Sequence, residues 1–343
     1  PPNKTFLSWI RLTSKHLDER HYSRQISKLF QTDHHELVMN SASLSLLNDL
    51  SIYMDEPIGD PALIPTFLLS KFARDHVKVC LSGDGGDEVF GGYTQHKIAW
   101  WADRYLSYPT FVTYLTNLVA AKTPWIPKKV QKVLGFAESR NLENLISNTL
   151  TPPEINPYYQ LLKTDVEEEI RQSGYEETAG YNLISEIEKY PLADMTHYMY
   201  LKTILPEIFL MKADKMSMAN SIELRVPMLD HHLVEMLSSI PGELKLRRGQ
   251  EKYLLKQALG NLLPQEIIRR RKQYFNLPLK KWISPKIIDE SMEILKKQLG
   301  YIGMFNMETV TELSDKTRDG NTYFIKTFFS LLMLALWNQQ INK

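Results

Sequence analysis

The run Val77-Lys78-Val79-Cys80-Leu81 stops at Ser82-Gly83-Asp84-Gly85-Gly86-Asp87-Glu88-Val89-Phe90-Gly91-Gly92-Tyr93, and this junction constrains the chain more than any other segment. β-Branched residues favour an extended strand, and glycine admits backbone angles that other residues avoid. A strand that ends in a glycine-rich loop belongs in an open α/β sheet, where ligands sit beyond the carboxyl ends of strands. With no Cβ in the way, backbone N–H groups approach an anion closely, which suits a phosphate or nucleotide. Asp84, Asp87 and Glu88 would repel such an anion unless a cation intervenes, so together they imply Mg²⁺, a hard ion that prefers oxygen ligands. The other reading of the same spacing is a tight turn whose acids are solvated or cap the next helix. Spacing alone leaves both open.

The flanking pattern predicts strand, helix, strand, helix, strand: a strand over 5–10, a helix over 18–30, a strand at Leu37-Val38-Met39, a helix over 62–75, and the Val77–Leu81 strand. That order implies an α/β fold with a parallel sheet and right-handed crossovers. Past about residue 97 long amphipathic segments are broken at Pro109, Pro124, Pro127, Pro152, Pro153 and Pro157, so this part should be mainly helical. With neither an internal repeat nor a low-complexity linker, residues 1–96 and 97–343 are expected to share one core. The most apolar stretch, Phe328 to Trp337, is about half the roughly 20 residues a membrane span needs, and reads as a buried helix.

The 41 basic residues nearly balance the 40 acidic ones, leaving a formal charge of +1 and no electrostatic footprint for nucleic acid or an anionic membrane. Small-molecule partners are expected. The single cysteine, Cys80, excludes internal disulfides and cysteine-based zinc sites, and fits a reducing, cytoplasmic setting. The opening Pro1-Pro2-Asn3 carries no initiator methionine, basic leader or apolar signal region, so further chain is expected upstream.

The run Ser82 to Tyr93 resembles the signature of the asparagine synthase family. Lys212-Ala213-Asp214-Lys215-Met216-Ser217-Met218-Ala219-Asn220-Ser221-Ile222-Glu223-Leu224-Arg225-Val226-Pro227-Met228-Leu229-Asp230 resembles the family's second block. Lys252-Tyr253-Leu254-Leu255-Lys256, then Leu263-Pro264, then Lys272-Gln273-Tyr274-Phe275 with Pro278 and Trp282, agrees as well. The resemblance implies an ATP-pyrophosphatase-type (adenine-nucleotide alpha-hydrolase-like) parallel sheet with a large helical C-terminal part. It implies ATP-dependent amidation of aspartate through β-aspartyl-AMP, with ATP and Mg²⁺, and with ammonia from glutamine supplied by an N-terminal glutaminase domain. Ser82 and Gly83 would contact ATP, Asp84 would orient the acyl-adenylate, Asp87 would reach Mg²⁺ on pyrophosphate, and Lys252 would neutralise the departing pyrophosphate. Ser8 falls where the family contacts adenine through an aliphatic side chain, and Trp9 falls where it usually has a small residue.

The family's Ser-Gly-Gly-x-Asp-Ser pyrophosphate loop and its N-terminal cysteine nucleophile are not in this sequence, so the chain alone is expected neither to hydrolyse glutamine nor to complete adenylation. The loss of a central strand would expose unpaired backbone groups and favour pairing, a homo-oligomer included. Two alternatives stay open: an acyl-adenylating relative that closes a cyclic amide, as β-lactam synthetases and lasso-peptide cyclases do, and a degenerate nucleotide-binding domain.

Several residues have plainer readings. His34-His35 with Asp33 and Glu36 is read as a polar loop, because neighbours on an extended segment point to opposite faces and cannot share an ion. His231-His232 is read the same way. Met211, Met216, Met218 and Met228 are read as core. Glu223 and Arg225 are either a substrate-facing pair or a structural salt bridge at a helix end. Tyr93 is expected to pack, and Lys122, Lys128, Lys129 and Lys132 with Trp125 to form a solvated helical face.

Overall fold

The structure, a computed structural model, describes residues 6–11, 18–39, 41–121, 126–127, 130–131, 133–134, 137, 161–173, 187, 189–270, 272 and 277–342. Strand β1 (Phe6–Arg11) runs parallel to β2 (Asp33–Val38), in register from Phe6 against Asp33 to Arg11 against Val38, and the helix Arg20–Phe30 crosses between them. The second strand therefore begins earlier than Leu37 and takes in the histidines expected in a loop. Strand alternation explains why it does: His34 and Glu36 share a face with His34 Nε2 3.1 Å from Glu36 Oε1, while His35 Nε2 lies 3.1 Å from Asp33. Arg24 donates to Glu36 from Nε and Nη2 at 2.6 and 2.7 Å, and Arg20 Nη1 donates at 3.3 Å, tying the crossover helix to the strand.

Strand β3 (Val79–Leu81) pairs in parallel with β4 (Glu223–Arg225), Val79 against Glu223 and Leu81 against Arg225. The expected single sheet is instead two parallel pairs among the described residues. The chain between β2 and β3 is drawn away into short helical turns, Ser41–Leu46, Leu47–Leu50 and Ser51–Tyr53. Leu44, Leu47, Leu50 and Met54 are buried there, and Trp337 Nε1 donates to the Asp55 carbonyl at 3.0 Å. The helix Leu63–Ala73 then lies against both β1 and the helix Met211–Met218, bridging the two strand pairs.

The helix Thr322–Ile341 carries the expected Phe328–Trp337 stretch, and Phe328, Phe329, Met333 and Ala335 are fully buried. It packs against Pro285–Ile302, which starts at the Ser284 cap and Pro285 and ends at left-handed Gly303, and against Met307–Arg318, capped by Asn306. Each such phenylalanine contributes about 1.5–3 kcal/mol by burial, against about 1 kcal/mol net for a hydrogen bond. A ladder three residues long is therefore the weaker contribution beside these helical cores. No helix among the described residues is long and apolar enough to cross a membrane. Of the methionines expected in the core, Met216 is fully buried and Met211 and Met228 pack against core clusters, but Met218 is 56% exposed at its helix end. Cys80 sits mid-β3, with its thiol pKa raised by burial.

The Arg24 hydrogen bonds, with smaller help from His34 and Arg20, lower the Glu36 pKa from 4.5 to about 2. The stability this contributes is complete above pH 4.5 and is lost as the pH falls towards 2. Urea unfolding followed between those pH values should show Glu36→Gln losing less stability on acidification than the wild type; parallel curves would refute the assignment.

Candidate active site

Past Leu81 the Ser82 N–H still donates to the Arg225 carbonyl, at 2.8 Å, so β4 steers the chain into the loop. The Gly86 N–H closes a turn onto the Gly83 carbonyl at 3.2 Å, and a Cβ at Gly83 would meet nothing within 4 Å. Gly85, at φ +83°, turns the chain into the helix Gly86–Phe90, where a Cβ would lie 2.2 Å from Leu229. Gly91, at φ +74°, ends that helix, and the Gly92 N–H returns to the Asp87 carbonyl at 2.8 Å. Two left-handed glycines thus confine Asp87 and Glu88 to one short turn of helix.

The three loop carboxylates then part ways. Ser82 Oγ donates to Asp84 Oδ2 at 2.5 Å. Asp87 Oδ1 lies 2.8 Å from both Lys252 Nζ and Lys272 Nζ. Glu88 is buried, and the Tyr93 hydroxyl donates to its Oε1 at 2.6 Å. Each acid has found a closer partner than a shared ion, so the expected three-carboxylate cation site does not form. No group of three His, Cys, Asp or Glu among the described residues could hold a metal. Asp87 alone fits a magnesium ion carried on phosphate oxygens, since Mg²⁺ at such sites needs one or two carboxylates and takes its remaining ligands from phosphate and water.

The charges respond to this arrangement. Burial would raise the Asp87 pKa, but the Lys252 and Lys272 ammoniums more than offset it and hold the carboxyl below its usual range. Burial lowers the Lys272 pKa, with Asp87 acting against it. Burial raises Glu88, only partly offset by the Tyr93 hydrogen bond, and raises Tyr93, reinforced by the Glu88 charge. Tyr93 also stacks on Tyr200, with centroids 4.7 Å apart, so it packs as expected and orients a carboxylate as well.

Lys252 reaches Asp87 from an unusual backbone. Its φ is +53°, in the left-handed region, and its N–H donates to the Gly91 carbonyl at 3.2 Å. A non-glycine residue there costs about 1–2 kcal/mol. The contact places Lys252 directly against the end of the loop helix.

Two buried histidines hold the turn from behind. The Tyr93 N–H donates to His96 Nδ1 at 3.3 Å, and His197 Nδ1 bonds to the Glu88 carbonyl at 2.8 Å. The rings stack 4.2 Å apart at 10°. Burial lowers the His96 pKa well below its usual value and lowers His197 to about 3, so both are neutral. His96 then carries its proton on Nε2 and His197 on Nδ1. Sequence reasoning missed both; the only local signal was His96 lying three residues after Tyr93, the spacing of a reciprocal helix cap. Lys272 lay inside a family-like segment, but nothing assigned it a role.

Among the residues singled out from sequence, the structure gathers Ser82, Gly83, Asp84, Asp87 and Lys252. Glu223 and Arg225 lie on β4, not at a helix end, and bond to each other at 2.8 Å on an exposed face. Ile222-Glu223-Leu224-Arg225-Val226 alternates apolar and polar residues, the signal that could have revealed β4. Ser8 belongs to the other strand pair; the side chains of Ser8 and Trp9 lie outside those described. Residues 122, 125, 128, 129, 132 and 273–275 lie outside the described residues, whereas Trp282 is buried. Asp230 caps the helix His231–Ser238, so His231-His232 opens a helix and joins no metal cluster among the described residues.

The asparagine synthase family model matches residues 2–339, nearly the whole chain. The chain belongs to the asparagine synthase family. It is 29% identical over 344 residues to a putative glutamine-hydrolyzing asparagine synthetase of Mycobacterium tuberculosis, covering 92% of this chain and 46% of that protein. It is 30% identical over 253 residues to glutamine-hydrolyzing asparagine synthetase 1 of Bacillus subtilis, covering 71% of this chain and 38% of that protein. Amidase chry2 of Gibberella zeae is 22% identical over 312 residues, covering 83% of this chain and 46% of that protein. This family member thus spans less than half the length of these relatives, and its family implies use of ATP.

Gly92 supplies a specific test of the site. A Cβ there would fall 1.8 Å from Asp87 Oδ1 and 2.6 Å from Lys252 Cε, so no alanine fits without parting the ion pair. Gly92→Ala should cost about 1–3 kcal/mol in unfolding free energy, the usual range for overpacking. Wild-type denaturant stability in that variant would contradict the geometry.

Proposed function

We propose that this chain is the adenylating part of an enzyme that converts aspartate to asparagine. The side-chain carboxylate of aspartate attacks the α-phosphorus of ATP, giving β-aspartyl-AMP and pyrophosphate. Ammonia, derived from glutamine in the whole protein, then attacks the acyl carbon and AMP leaves. A carboxylate is a poor electrophile because it would have to expel oxide, and adenylation turns that oxygen into a leaving group. The protein's share of the work is positioning and charge neutralisation.

The observation that carries the reading is the cationic grip on Asp87, with Lys252 and Lys272 both 2.8 Å from one carboxylate oxygen beside the Ser82–Asp84 turn. In this reading Ser82 and Gly83 contact the nucleotide, where the open space at Gly83 admits close approach. Asp84, held by Ser82, orients the acyl-adenylate. Asp87 holds magnesium on the phosphates, and Lys252 meets the charge that develops on pyrophosphate. Ser8 on β1 borders the adenine. Glu223 and Arg225, on the strand that feeds the loop, are the candidates for the amino-acid end of the substrate.

A second reading comes from amidases among the relatives, such as chry2 and chyE at 22% and 23% identity. Under it, the same adenylation serves a different carboxylic acid. The deciding measurement is pyrophosphate release from ATP by the whole protein with Mg²⁺ and ammonia, with aspartate supplied or withheld. Release that requires aspartate, and that falls about 100-fold or more in Lys252→Met, is expected for loss of a group that stabilises developing charge. Release with another acid but not aspartate selects the second reading, and release with none of them overturns both.

A further inference from the structure

A groove of about 290 Å³ lies between the helix Thr94–Leu106 and the turn that precedes Lys252. Trp100, Arg104, Glu243, Leu244, Arg247 and Arg248 line it, and none of them belongs to the glycine-rich loop. Three guanidiniums therefore share this space with a single carboxylate. Among the described residues none of the three forms an ion pair, not even with Glu243.

The guanidiniums are held in place by other means. Arg104 lies 5.2 Å from the centroid of the Trp100 ring, and the Trp100 indole N–H donates to the Glu243 carbonyl at 3.3 Å. Arg247 lies 5.6 Å from the Tyr253 ring centroid, and its Nη1 donates to the Tyr253 hydroxyl at 3.2 Å. A ring face attracts a guanidinium while leaving N–H donors on its edge for another acceptor. Arg248 is fixed through its backbone, at φ +55° and ψ +30°, and Gly249 follows at φ +70°. The Gly249 N–H closes the turn onto the Leu246 carbonyl at 2.9 Å, and Leu246 is fully buried. Glycine would take the Arg248 backbone without strain, so an arginine there calls for a role of its side chain.

The character of a ligand follows from these walls. A cation would be repelled, and Leu244 with the edge of Trp100 offers an apolar ligand little to cover. A guanidinium presents a planar fork of donors that matches paired oxygens of a carboxylate or phosphate. The volume lies at the small end of ligand sites. We propose that this groove binds a small dianion, a phosphate or a dicarboxylate, whose oxygens fork onto the Arg104 and Arg248 guanidiniums. The site is separate from the adenylating centre and does not depend on that reading. No bond is made or broken in it.

The test is calorimetric titration of the whole protein with inorganic phosphate and, separately, with succinate, at one fixed ionic strength. Loss of a charged donor should weaken binding by about 10-fold in Arg104→Gln and in Arg248→Gly. Arg248→Gly removes the charge while relaxing the backbone, so a weaker affinity there cannot be put down to a damaged fold. Glu243→Gln should act in the opposite direction and tighten binding by about 2- to 5-fold, because it removes an exposed like charge. Lys252→Met should leave this affinity unchanged. Binding of phosphate alone would assign a phosphorylated ligand, binding of succinate alone a dicarboxylate, and binding of both a general dianion site. Binding of neither would overturn the proposal, as would unchanged affinity in both arginine variants. A loss in Lys252→Met as large as theirs would put the anion at the glycine-rich loop and overturn it too.

Discussion

The contact of Asp87 Oδ1 with two ammoniums is the constraint around which the rest of the site is built. For this oxygen to meet Lys252, position 92 must carry no side chain, and Gly92 has none. Lys252 must approach along the helix end, which fixes its N–H on the Gly91 carbonyl and forces a left-handed backbone. Glu88, the residue after Asp87, is instead held by the Tyr93 hydroxyl. The two stacked imidazoles then secure this turn at both ends, one through the Glu88 carbonyl and the other through the Tyr93 N–H. A local electrostatic contact thus goes together with a bare Gly92 and a left-handed Lys252.

The loop was legible in the sequence because glycine punctuates so strongly: Gly83, Gly85, Gly86, Gly91 and Gly92 after a β-branched run leave few alternatives. The C-terminal core helix was legible from its unbroken apolar stretch. The sheet was not, because local pattern carries no information about which strands become neighbours. β4 escaped notice because its partner lies 144 positions earlier in the register Val79 to Glu223. The carboxylates illustrate a different limit. Spacing put Asp84, Asp87 and Glu88 in one loop, but which atom each faces was decided by Ser82, two lysines and Tyr93, of which Lys272 is nearly two hundred residues away. His197 was hidden for the same reason, since the Glu88 carbonyl it holds lies 109 residues earlier in the sequence.

Family membership and geometry bear on different questions. Membership rests on a match over residues 2–339 and brings ATP with it. Relatives named asparagine synthetase and relatives named amidase both align with this chain. What the geometry adds is a division of labour: the acids of the loop do not act as one cluster, and the positive charge is concentrated on the side of Asp87.

The backbone of Lys252 has an evolutionary corollary. At φ +53° the residue types that would relax the chain are glycine and, to a lesser degree, asparagine or aspartate, and none of these carries a positive charge. Arginine would keep the charge but not relieve the strain. No single amino-acid replacement satisfies both demands, so a relaxed backbone and a retained positive charge lie on diverging mutational paths at this position.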